Sequence, residues 1–255
     1  MTTTTMGTSF HSALENLRTT GVWKSIFRSG PAVTNRARSL KVFDNLLLHW
    51  LPVKVRENSL GVRATYYLGS LLLFLFIIMA VTGVFLMFYY RPVAPNAYYD
   101  MKDLRFVVSN GVFVRNMHRI GAHLMVLLAF WHMVHVFYRG GYKPPREFNW
   151  VIGVMLLLLT LSLSYTGYLL PWDQLAFWAT TVGSNMISAA PAIGNEVRFV
   201  ALGGHTVGGN TLLRFYVFHV VILPLLAFLF IGAHLWRVRK DGGLTVGAKD
   251  HDGQD

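Results

Sequence analysis

Long runs without a single charged side chain alternate along this sequence with short polar connections. Four runs stand out: Thr65–Tyr90, Met117–Tyr138, Trp150–Leu170 and Tyr216–Trp236. A hydrocarbon core about 30 Å thick requires roughly 20 helical residues to cross it, and each run is long enough. Only Arg119, at the entrance of the second run, breaks the absence of Asp, Glu, Lys and Arg within them. Helices of a soluble core keep a polar stripe with a 3.6-residue period; these runs have none. The pattern therefore predicts an all-α membrane protein, a bundle of four transmembrane helices.

Composition fits that reading. Of 255 residues, 53% are hydrophobic and 14% charged, against about 25% charged in an ordinary soluble domain. The net charge of +11 is confined to the connections, which argues for a bilayer and against a nucleic-acid partner. Lys and Arg number nine in residues 1–63, three in the second connection (Arg139, Lys143, Arg146) and four after the last run (Arg237, Arg239, Lys240, Lys249). Six lie on the other side: Arg91, Lys102, Arg105, Arg115, Arg198 and Arg214. The excess on the first side predicts that both termini are cytoplasmic, with residues 1–64 as an extension, 65–236 as the bundle and 237–255 as a tail. The extension shows no cleavable signal pattern. Its stretch Val42–Leu51, flanked by Arg36, Arg38, Lys41, Lys54 and Arg56, reads either as an amphipathic helix on the anionic leaflet or as a helix packed on a partner subunit. The connection 171–214 is too long for a simple turn, and its segment Leu175–Ala179 suits a short surface helix.

With no cysteine, the chain offers no thiolate zinc site, cysteine-ligated cluster or thioether to haem. Histidine takes that role. His118 and His132 are 14 residues apart in the second run, and His219 and His234 are 15 apart in the fourth. At about 100° and 1.5 Å per residue, each pair is offset by only about −40° or +60° and separated by roughly 21–22 Å along the axis. The second and fourth runs cross in the same direction, so His118 is level with His219 and His132 with His234. Two stacked pairs of neutral imidazoles suit low-spin iron with both axial positions filled. A proton relay in a transporter is the alternative use of intramembrane histidine; it leaves the glycines below unexplained, and no inverted repeat is visible. His123 and His135 read as packing residues, with His135 also placed to meet a haem edge or a quinone. Gly69 and Gly83 in the first run, and Gly153 and Gly167 in the third, repeat the 14-residue spacing and permit close approach of a flat ligand to the backbone. Arg115, Arg119 and Arg214 lie near the outer pair, and Arg139, Arg237 and Arg239 near the inner pair, as cationic partners for carboxylates.

These residues resemble the amino-terminal, haem-bearing part of cytochrome b, and more closely cytochrome b6. The likeness runs over about residues 60–240 and is carried by Phe88-Tyr89-Tyr90-Arg91-Pro92, Arg115-x-x-His118-Arg119, Gly140-Gly141-Tyr142-Lys143-x-Pro145-Arg146-Glu147, Thr166-Gly167-Tyr168-x-Leu170-Pro171-Trp172-Asp173-Gln174 and Leu213-Arg214-Phe215-Tyr216-x-x-His219. The resemblance implies two non-covalent haem b groups, one on His118 and His219 near the outer surface and one on His132 and His234 near the cytoplasmic surface. It implies membrane quinol as substrate, with Tyr168, Phe177, Trp178 and Ala179 along one wall of the quinol pocket. It further implies a dimeric complex with a Rieske iron–sulfur protein, a c-type cytochrome, and a separate membrane subunit carrying the family's Pro-Glu-Trp-Tyr segment, in a bacterial inner membrane. Where b6-type proteins have a cysteine that tethers an extra haem c, this sequence has Tyr67, so no covalent haem is expected. A dihaem anchor of a dehydrogenase or hydrogenase also uses bundle histidines, but the Pro-Trp-Asp-Gln loop argues against it.

Overall fold

A computed structural model describes residues 15–16, 19–20, 23, 33–38, 65–241 and 243–244. The expected surface helix at Val42–Leu51 lies outside the described residues, as does most of the carboxyl-terminal tail. The described residues are helical, with no strand among them.

From Leu68 onward the helices are α1 Leu68–Met87, α2 Asn96–Phe106, α3 Gly111–Tyr138, α4 Glu147–Leu169, α5 Gln174–Ser188, α6 Gly194–Leu202, α7 Gly209–Val217 and α8 Leu223–Lys240, with a π turn at Phe218–Ile222 joining the last two. Among the described residues, four spans are long and apolar enough to cross a membrane: α1, α3, α4 and the continuous Gly209–Lys240. Most of their side chains are not buried within the chain. That suits helices whose surroundings are lipid, where apolar exposure costs nothing.

The helices depart from the apolar pattern in several places. The second span begins at Gly111, six residues before the apolar run, because nothing in Gly111–Asn116 breaks a helix and Arg115 can sit at the interface. The connection expected to hold one short helix holds two, α5 and α6. Asp173 caps α5 by accepting a hydrogen bond from the Ala176 N–H at 2.8 Å, and α6 stops at Gly203, which takes the left-handed conformation (φ 72°) that glycine adopts without strain. Helix α2 forms from a polar sequence because Ala97, Asp100 and Leu104 all bury on one side.

The chain divides into two compact units. One comprises 68–132 and 156–230, and the other comprises the described parts of 1–67, 133–155 and 231–255. In the first unit, Tyr90, Ala97 and Leu212 form a buried cluster with Met101, Leu170, Trp172 and Tyr216 packed on it. This cluster ties the end of α1, α2, the loop after α4 and α7 together. In the second unit, Phe137 stacks on Tyr142 at 5.1 Å and meets Trp150 at 6.0 Å. There Arg237 and Asp241 form a fully buried ion pair at 3.1 Å, with the Arg237 guanidinium 5.5 Å from the Phe148 ring centre.

The π turn has a local cause. Pro224 has no N–H to give and its ring crowds the carbonyl four residues earlier. The chain widens just before it, and the Leu223 N–H bonds back five residues to the Phe218 carbonyl.

Candidate functional site

His118, on α3, and His219, in the π turn, face each other within the first unit. Their ring centres are 6.3 Å apart and their planes lie 74° from one another. Behind each ring is a glycine. A methyl placed on Gly83 would lie 3.3 Å from His118 Cε1, and one on Gly167 would lie 2.5 Å from His219 Cε1 and 3.1 Å from both ring nitrogens. No other residue type leaves room for the imidazole at Gly167, since ordinary carbon contacts are about 3.5–4.0 Å.

Beside each glycine stands a buried threonine. Thr82 Oγ1 is 2.9 Å from His118 Nδ1 and donates to the Ile78 carbonyl at 2.7 Å. Thr166 Oγ1 is 3.1 Å from His219 Nδ1 and donates to the Ser162 carbonyl at 2.8 Å. The pattern of apolar runs did not single out these two residues. The signal available in the sequence is the repeated Thr-Gly dipeptide at 82–83 and 166–167.

The other two histidines have the same backing. A methyl on Gly69 would lie 3.7 Å from His132 Cε1 in the first unit, and one on Gly153 would lie 3.6 Å from His234 Cε1 in the second. The four glycines thus serve the four histidines one to one. His135 meets the edge of the Tyr66 ring at 5.2 Å, and His123 is exposed on α3.

Arg115 and Arg119 line a cavity of about 330 Å³ together with Arg105, Val112 and Asn116. Three guanidiniums around one cavity make it suited to an anion. Arg214 points elsewhere: it donates to the Val200 carbonyl at the end of α6. Arg239 is half-buried on α8, next to the Arg237–Asp241 pair.

Directly after Gly167, Tyr168 is exposed on the last turn of α4, while Phe177 and Trp178 are exposed on α5. Ala179 is tied to α4 by the Tyr165 hydroxyl, which donates to its carbonyl at 3.2 Å. An open groove of about 600 Å³ lies beside them, lined by Ala94, Pro95, Tyr98, Tyr99 and the Trp172–Leu175 segment. Two contacts brace this region. Tyr90 donates to the Leu170 carbonyl at 2.7 Å, and burial, with Tyr216 and the Asp100 carboxylate adding to it, pushes its phenol pKa up. Arg91 grips Asp100 through its backbone N–H at 2.8 Å and its guanidinium at 2.5 Å. The side-chain hydrogen bond from Arg91 holds that carboxyl below the usual carboxylate range.

Four membrane-length apolar helices with facing imidazoles inside them define a class, the all-helical integral membrane proteins that can hold a prosthetic group between spans. A family profile described as Cytochrome b/b6/petB matches residues 53–242. The chain belongs to the cytochrome b/b6 family. It is 44% identical over 177 residues to cytochrome b6 of Heliobacterium modesticaldum, covering 69% of this chain and 83% of the other. It is 42% identical over 196 residues to the menaquinol:cytochrome c reductase cytochrome b subunit of Bacillus subtilis, covering 76% and 87%. Among solved structures, a hyperthermophilic respiratory Complex III matches with a TM-score of 0.66 at 27% identity, over 81% of this chain and 53% of that one. The chain thus spans about half the length of that structural relative.

Proposed function

We propose that this chain is the dihaem cytochrome b subunit of a quinol-oxidising complex of the bc/b6f type. The observation that carries the reading is the facing pair His118 and His219, 6.3 Å between ring centres, each ring backed by a glycine. Two nitrogen–metal bonds of about 2 Å and two imidazole radii of about 1.1 Å account for that spacing with one metal ion between the rings. Among the described residues no three or more His, Asp or Glu converge on a metal-sized space. Two imidazoles suit an ion whose remaining ligands come from its own macrocycle, and the family's haem b supplies them. Residues His132 and His234, backed by Gly69 and Gly153, form the second pair of the proposal.

When bound, haem b supplies a one-electron ferric/ferrous couple at each site. The chain's own residues do the rest. Nε2 of each histidine would hold the iron, the apolar spans exclude water, and Arg115 and Arg119, with Arg239, would neutralise propionates, while Arg214 is engaged with the Val200 carbonyl. Quinol oxidation releases two electrons and two protons at the outer surface, where Tyr168, Phe177, Trp178 and Ala179 form one wall of the pocket. A separate membrane subunit bearing the Pro-Glu-Trp-Tyr segment supplies the other wall. A Rieske protein would accept one electron for a c-type cytochrome, and the two histidine pairs would hold the groups that serve the other electron. The complex is dimeric, resides in a bacterial inner membrane and keeps both termini of this chain in the cytoplasm. No thioether-linked haem is part of the proposal.

The test is a reduced-minus-oxidised spectrum of the purified complex. Two b-type components are expected, and acid-acetone should extract all haem from this polypeptide. His219→Leu should remove the outer component and spare the inner one; His234→Leu should do the reverse. A single b component, or loss of the same component in both variants, would overturn the proposal.

A further inference from the structure

We infer that Thr82 and Thr166 are positioning residues that lock His118 and His219 in the tautomer presenting Nε2 and set the redox preference of the outer site. The inference rests on the two-haem reading above and assigns residues to it beyond the ligands themselves.

The argument follows protons. A hydroxyl has one proton to give. Thr82 gives its proton to the Ile78 carbonyl at 2.7 Å, with the Met79 carbonyl further away at 3.3 Å. Towards His118 Nδ1, 2.9 Å away, the same oxygen can therefore only accept. The proton between them belongs to Nδ1. A neutral imidazole has one N–H, so Nε2 keeps its lone pair. Thr166 repeats the arrangement, giving its proton to Ser162 at 2.8 Å and accepting from His219 Nδ1 at 3.1 Å.

Placement makes the device specific. Thr82 is 3% exposed and Thr166 6%, so water does not compete for either hydroxyl. Each directly precedes the glycine that faces the same ring, so one short segment both makes room for the imidazole and holds its rear nitrogen. The residues preceding Gly69 and Gly153 are Leu68 and Ile152, which have no hydroxyl to offer. An acceptor behind a ligating imidazole pushes electron density onto the ring, raising its basicity and favouring the higher oxidation state of the metal. The outer site should therefore hold its electron less tightly than it would without the threonines.

The experiment uses the whole complex and the isosteric variants Thr82→Val and Thr166→Val, with Thr82→Ser and Thr166→Ser as conservative partners. The outer b component is first identified by its loss in His219→Leu. Equilibrium redox titration and the low-spin ferric EPR signal of that component are then compared. Each valine variant should shift the ferric/ferrous ratio of the outer component about tenfold towards ferrous at fixed ambient potential, or about 59 mV for a one-electron couple. Each serine variant should restore the wild-type value, and the inner component should not move. Loss of the outer component in the valine variant with retention in the serine variant also supports the role. Unchanged potential and EPR signal in the valine variants, or equal loss of the component in serine and valine variants, would overturn it. If wild-type complex carried no outer b component at all, the two-haem reading would fail instead.

Discussion

Replacing Gly167 by alanine inserts one methyl into the tightest of the four glycine–histidine contacts. That methyl would sit 2.5 Å from His219 Cε1 and 3.1 Å from Nδ1 and Nε2. Carbon atoms settle at about 3.5–4.0 Å, so the imidazole must retreat by about 1 Å. The retreat stretches the 3.1 Å contact with Thr166 Oγ1 beyond hydrogen-bond range and carries Nε2 away from its working position. Overpacking of this kind costs about 1–3 kcal/mol, which at about 1.4 kcal/mol per decade is roughly a five- to 150-fold loss of occupancy at the proposed His118–His219 site. The same substitution elsewhere is milder in a stated order. At Gly83 the closest approach is 3.3 Å, and a shift of a few tenths of an ångström relieves it. At Gly153 and Gly69 it is 3.6 and 3.7 Å, ordinary contact with the histidine. Haem occupancy per polypeptide, read from redox-difference spectra at graded potentials, should therefore fall most in Gly167→Ala, less in Gly83→Ala and least in the other two. Wild-type occupancy and potential in Gly167→Ala, or a larger loss in Gly69→Ala than in Gly167→Ala, would refute the steric reasoning.

Two further outcomes follow from the region between the spans. Asp173→Ala removes the hydroxyl-free cap of α5 and should cost about 1 kcal/mol of local stability, which Asp173→Ser should largely return; hydrogen exchange of the amides at 174–178 reads it. The Arg91–Asp100 clasp holds a carboxyl whose folded-state pKa lies below its unfolded value of about 3.9. Its contribution is therefore fully present above that value and lost as the pH falls through the lower folded pKa. Protection of the backbone over residues 91–106 should stay constant between about pH 5 and 7 and weaken only below about pH 4. Asp100→Asn should show the weakened state at every pH, and a variant as protected as wild type at neutral pH would remove the clasp from the account.

The four spans were legible because apolar composition is a local property that needs no partner to be read. The histidine and glycine spacings were legible for a related reason: helical pitch converts sequence distance into face and height. The threonines were hidden for an equally physical cause. A hydroxyl inside an apolar helix ordinarily bonds back to the carbonyl four residues earlier, as Thr82 and Thr166 both do. Only the position of an imidazole on another helix gives their second lone pair a purpose. Helix α2 was missed because its sequence is polar on average and becomes helical by burying Ala97, Asp100 and Leu104 in a tertiary setting. The two helices of the long connection depend on Asp173 and Gly203 as stops and starts, which a hydropathy pattern does not weigh.

The widened turn at Phe218–Ile222 changes how chain length should be counted in the last span. From His118 to His132 there are 14 positions, and from His219 to His234 there are 15. A π turn takes up one residue more than an α turn, so the fifteenth position is surplus to the winding. For inheritance this makes the segment before Pro224 a place where a codon can be lost without reaching either histidine's role. A sequence with one residue fewer there, and an interval of 14, describes the same helix wound without its slack. Alignments that open a one-residue gap in the last span should place it at 220–223, between His219 and Pro224, where the backbone already holds the spare residue.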